Sequence, residues 1–105
     1  MKLAPRATGQ PSDGDLVNRC REGDHQAWRM LYERYAPTVH RFICALGVPP
    51  AEREDACQDV FMAVYRSLGR FRGEARLSTW IYRIAARGTS RLVRREGYAR
   101  LAASP

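Results

Sequence analysis

Between residues 28 and 46 the apolar side chains Trp28, Leu31, Tyr32, Tyr35, Val39, Phe42, Ile43 and Leu46 recur at steps of three or four. Such spacing lines them along one face of an α-helix, and no stretch of the chain alternates at the period of two that a half-buried strand requires. The pattern predicts an all-α fold with no sheet, a small four-helix bundle. At 105 residues the chain has the length of one domain and buries one modest core.

The remaining helices are bounded by their caps. Ser12 and Asp15 have capping-box spacing and open a short helix, Asp15 to about Glu22, that Gly23 ends. Asp24 caps the long periodic helix, in which Pro37 predicts a kink. Gly47-Val48-Pro49-Pro50 breaks the chain, and Pro50 suits the start of a third helix. Glu52, Glu54 and Asp55 favour its positive end, Cys57, Val60, Phe61, Val64 and Leu68 supply its buried stripe, and Gly69 closes it. A basic loop follows over residues 70–78, and Ser78 or Thr79 caps a fourth helix running to about Arg95. Residues 1–13 read as a flexible N-terminal tail, 14–95 as the domain, and 96–105 as a C-terminal tail or linker.

Charge is divided along the chain. Residues 1–60 carry 8 Lys+Arg against 9 Asp+Glu, whereas residues 61–105 carry 10 against 2. One half therefore suits a polyanion and the other half a different partner. Seventeen of the 18 cationic residues are Arg, whose planar fork matches phosphate.

On the fourth helix Arg83, Arg87, Arg91 and Arg94 share an arc beside an apolar arc of Ile81, Ile84, Ala85, Gly88 and Leu92. Like charges at that spacing repel unless an anion covers them. A solvated cationic face is the ordinary reading of such a stripe. Here it lacks interleaved acids, and the preceding loop adds Arg70, Phe71, Arg72 and Arg76, so polyanion binding is the stronger one. Phe71, Trp80 and Tyr82 sit in or beside the basic segment, and arginines with aromatics describe a surface for unstacked bases. Core packing is the competing role for each aromatic taken alone.

The third helix places Asp55, Gln58, Asp59 and Met62 on one face, away from Val60, Val64 and Leu68. That face suits either solvent or a protein partner presenting arginines. No combination of His, carboxylate and nucleophile, no Gly-rich phosphate loop and no metal-ligand cluster is present, so the chain reads as a binding module and not an enzyme, with no cofactor. Cys20, Cys44 and Cys57 form no CxxC pair and read as small buried hydrophobes, with His25 and His40 isolated from them. Neither a secretory signal nor an apolar run of membrane-spanning length is visible, so the expected location is the cytoplasm.

The string from Phe71 to Ala85, Phe-Arg-Gly-Glu-Ala-Arg-Leu-Ser-Thr-Trp-Ile-Tyr-Arg-Ile-Ala, strongly resembles region 2 of bacterial RNA polymerase sigma factors, above all the extracytoplasmic-function (ECF) group. Asp55-Ala56-Cys57-Gln58-Asp59-Val60-Phe61 is similar to the family's "DAxQEVF" segment. Arg21-Glu22-Gly23-Asp24, Ala27-Trp28 and Leu31-Tyr32 look like its opening helices. The match covers roughly residues 14–95.

This resemblance implies a domain that binds core RNA polymerase and recognises and melts the promoter −10 element for transcription initiation. Asp55, Gln58, Asp59 and Met62 would dock on the β′ clamp helices. Phe71, Arg72, Arg76, Ser78, Thr79, Trp80, Tyr82, Arg83, Arg87 and Arg91 would hold the non-template single strand, with one base extruded under the loop. An anti-sigma factor is a further implied partner. Arg87 departs from the family, which often has Asn there; Asn pairs with a base edge, whereas Arg prefers guanine or phosphate. The sequence ends before the second helical domain that reads the −35 element in such proteins, so the chain reads either as one domain cut from a longer protein or as a protein that acts without that half. The alternative reading is a sigma-like interaction protein that occupies polymerase or an anti-sigma factor without initiating transcription. A generic basic DNA-binding regulator fits the loop motif less well.

Overall fold

The computed structural model describes residues 10–89, which form four helices and, among the described residues, no strand. Helix α1 spans Asp13–Arg21. Ser12 caps it by accepting the Asp15 N–H at 3.0 Å, so the helix starts directly after its cap, two residues before the position the sequence suggests. Asp13, assigned above to the tail, is thus helical. Its carboxylate takes Arg34 Nη1 at 2.9 Å and the Tyr35 hydroxyl at 2.5 Å, tying the start of the domain to the next helix.

Gly23, at φ +88°, makes the turn to α2, His25–Ala45. Asp24 caps α2 through the Gln26 and Ala27 amides at 3.0 and 3.2 Å, and accepts from Arg19 of α1 at 3.0 Å. The Ala27 amide first, and the Arg19 guanidinium next, hold the Asp24 carboxyl below its ordinary range. Helix α2 runs unbroken through Pro37. The ring removes the bond to the Glu33 carbonyl, but both residues are exposed, so that oxygen is open to solvent.

After a 3₁₀ turn, Pro50–Glu52, helix α3 spans Arg53–Ser67. It closes not on Gly69 but into a second 3₁₀ turn, Leu68–Arg70, that contains this glycine without a positive φ. Helix α4 occupies residues 77–89 of the described chain.

Each long helix buries one line of residues four apart. In α2 the line is Ala27, Leu31, Tyr35, Val39 and Ile43; in α4 it is Leu77, Ile81, Ala85 and Thr89. Leu16 and Val17 of α1, Val48 before α3, Ala56, Val60, Phe61 and Val64 of α3 and Leu68 after it complete the core. A line of i,i+4 neighbours turns about 40° around the helix at every step. The contact has therefore moved off Gly88, which is exposed, and onto Thr89, whose hydroxyl donates back to the Ala85 carbonyl at 2.8 Å. Ile84 is half-buried, as are the three cysteines, so the expectation of buried thiols fails. Even half-burial pushes the Cys20 and Cys57 thiols up. His40 is an exposed surface residue whose Nδ1 lies 3.8 Å from a single thiol, Cys44 Sγ, one helical turn on.

Candidate nucleic-acid interface

The basic loop starts from a fixed point. Phe71, extended at φ −70° and ψ 123°, donates its N–H to the Leu68 carbonyl at 3.2 Å. Gly73, at φ +77°, then supplies the left-handed residue that brings the chain round to α4. There the Trp80 amide bonds the Arg76 carbonyl at 3.0 Å, so α4 begins at Leu77 with Arg76 as its cap residue. Ser78 and Thr79 are not caps, as the sequence suggested, but members of the first turn. The amides of Leu77, Ser78 and Thr79 have no carbonyl one turn earlier to bond, which leaves a positive helix end beside the loop.

Phe71 and Trp80 pair with ring centroids 5.0 Å apart and planes tilted by 52°. They wall a cleft of about 250 Å³, in which Arg70, Arg72 and Arg83 supply positive charge and Glu74 and Ala75 complete the lining. Arg70, Arg72, Arg76, Arg83 and Arg87 are all exposed, as is Thr79, while Ser78 is half-buried. Arg91 and Arg94 lie outside the described residues, so the basic stripe is seen here only as far as Arg87. Exposed arginines, an aromatic pair and a cleft below the size range of drug-binding pockets suit a single stacked base with its phosphates.

Tyr82 does not join this cleft. Two residues along a helix separate directions by about 160°, so Tyr82 faces away from Trp80. It packs edge-on against Phe42 of α2 at 4.9 Å and remains 40% exposed. Arg83, only about 60° from Trp80, does join it.

The four residues singled out on α3, Asp55, Gln58, Asp59 and Met62, are all exposed on one face. The structure adds aromatic neighbours from α2 and α3, among them Tyr32, expected in the core but exposed. Trp28 stacks edge-on with Tyr65 at 5.0 Å, and Tyr32 lies 4.6 Å from Phe61. Trp28, Tyr32, Phe61, Met62 and Tyr65 form an apolar groove of about 460 Å³ between α2 and α3, edged by His25, Gln58 and Arg66. Met62 and Tyr65 are 56% and 50% exposed, which makes this a patch and not a core edge. Tyr65, three residues after Met62 on the same helix face, was the overlooked signal. Among the described residues no group of three or more His, Cys, Asp or Glu is placed to hold a metal ion. No helix among them is long and apolar enough to cross a membrane.

Comparison with known proteins follows the same outline. The Sigma-70 region 2 family matches residues 31–98. RNA polymerase sigma-H factor of Pseudomonas aeruginosa is 37% identical over 76 residues, covering 72% of this chain and 39% of that protein. ECF RNA polymerase sigma-E factor of Escherichia coli is 38% identical with the same coverage. The chain thus spans about two fifths of the length of these relatives. An NMR structure of an engineered region 2 of sigmaE in complex with GTAAAA superposes with a TM-score of 0.74 at 33% identity, over 84% of this chain and 92% of that one. With its helices, its loop and its sequence all in agreement, the chain belongs to the Sigma-70 region 2 family.

Proposed function

We propose that this domain binds core RNA polymerase and recognises and melts the promoter −10 element, holding the non-template strand on the loop and α4. The observation that carries this reading is the Phe71–Trp80 cleft with its ring of arginines. It is supported by a structural relative, 33% identical, an engineered region 2 of sigmaE solved in complex with GTAAAA. Stacking in the cleft and phosphate contacts to Arg72, Arg76, Arg83, Arg87 and Arg91 would together offset the few kcal/mol that extruding a base costs. Thr79 and the first-turn amides of α4 add uncharged phosphate donors. Ser78 and Tyr82, set back from the cleft, take at most an edge role.

The second surface is the exposed face of α3. Asp55, Gln58, Asp59 and Met62 offer carboxylates and a flexible apolar side chain to the clamp helices of the β′ subunit, and the aromatic groove beside them widens that contact. The domain itself performs no chemistry, since RNA synthesis belongs to the polymerase. It acts in the cytoplasm, and an anti-sigma factor that covers either surface would regulate it.

Fluorescence titration with labelled single strands tests the reading. The non-template −10 strand of a cognate promoter should bind at least about tenfold more tightly than its complement, the discrimination of one or two base contacts. Equal affinity for both strands would reduce the surface to a phosphate grip with a steep dependence on salt.

A further inference from the structure

We infer that Arg21, at the C-terminal end of α1, is a positioning residue for the loop that holds the base. This inference rests on the single-strand reading above. Arg21 is 47 and 50 residues from its two main partners in sequence. Its Nε donates to the Leu68 carbonyl at 3.1 Å, its Nη2 donates to the Phe71 carbonyl, and its Nη1 reaches Asn18 Oδ1 at 3.3 Å. The first two acceptors are the first residue of the 3₁₀ turn and the residue that follows it into the loop. The third, one turn back on α1, fixes the rotation of the fork.

The Leu68 carbonyl thus receives two donors, the Phe71 amide and the Arg21 guanidinium. The turn is closed from within by the first and bridged from outside by the second. Bridging fixes the backbone at Phe71, and the direction of its ring onto Trp80 follows from that backbone. Arg21 is not part of the cleft lining, so it acts on the base through Phe71 and not by touching it. A planar fork is required: the compact ammonium of a lysine does not span two carbonyls in fixed geometry. The same arginine opens the Arg21-Glu22-Gly23-Asp24 turn, so the segment that starts α2 also sets the loop some fifty residues later.

The test uses the whole chain carrying Arg21→Lys or Arg21→Met. Both variants should bind the non-template strand about three- to tenfold more weakly, lose much of the strand preference, and keep the wild-type slope of affinity against salt. A direct phosphate contact predicts otherwise: Lys would retain binding, and Met would lower the slope by about one phosphate. That result overturns the inference, as does a drop in melting temperature with strand preference intact. Hydrogen exchange supplies a readout free of DNA. The Phe71 amide should exchange at least about threefold faster in both variants while the α2 amides are unchanged, and an unchanged Phe71 amide would refute the role. Wild-type chain that fails to prefer the non-template strand counts against the functional reading, whereas the exchange result judges Arg21 independently.

Discussion

Trp80 shows how one residue is shared between two demands. It is half-buried, with one part against the core and the other paired with Phe71 over the cleft. Aromatic stacking is worth about 1–3 kcal/mol per base, so Trp80→Ala should weaken non-template binding by roughly tenfold or more. Tyr82→Ala, facing Phe42 instead, should change it by less than about threefold. Strand-binding titrations of the two variants side by side check this, and comparable losses would contradict the assignment of the cleft. Sequence alone grouped the two aromatics because both neighbour arginines. Their separation is a matter of helical angle and of what α2 presents. The residues that the sequence left out, Arg21 and Tyr65, share a different cause. Each looks ordinary in its own stretch of chain, and its role depends on a partner brought up by the fold: the spacing of Tyr65 from Met62 gains its meaning only when α2 presents Trp28.

At the scale of elements, the position of α4 decides whether the cleft exists. The helix is held by a narrow line, Leu77, Ile81, Ala85 and Thr89, of which Ile81 is fully buried. Ile81→Ala should destabilise the domain by about 2–4 kcal/mol, since it removes a buried side chain and leaves a void. Denaturant unfolding checks the value. Strand binding should fall only in proportion to the unfolded fraction, because Ile81 lies under the site and not in it. Helix existence and capping were legible from Ser12, Asp24 and the apolar steps of α2. Helix ends were less so. Gly69 looked like a stop, yet the chain tightens there into a 3₁₀ turn closed by the Phe71 amide on the Leu68 carbonyl, where Arg21 also donates. Ser78 and Thr79 looked like caps, yet Leu77 is drawn into the core and the helix starts one residue ahead of them.

For the whole molecule, the division of charge matches a division of surfaces. The acidic face of α3 and the basic face of the loop and α4 belong to different helices, so on the proposed reading they act independently. Asp59→Lys should weaken binding to core polymerase by about tenfold, as expected for a like charge brought into an interface, while leaving strand preference unchanged. Arg83→Ala should do the converse. Combining the two should add their free energies to within about 0.5 kcal/mol, the behaviour of sites that share no partner. Separate titrations with polymerase and with the −10 strand would measure this, and a large coupling would mean that the two faces are one site.

What the sequence determined by itself is the part of the protein written in local pattern. Apolar steps of three and four, caps and a one-sided run of arginines specify helices and a polyanion-binding half, because each depends on residues within a turn or two. Only the tertiary structure decided which side chains share a site. Phe71 meets Trp80, Tyr82 leaves for Phe42, and Arg21 crosses from the first helix to the loop. These pairings are settled by how helices dock, and docking is a property of the assembled core that no short stretch of sequence contains.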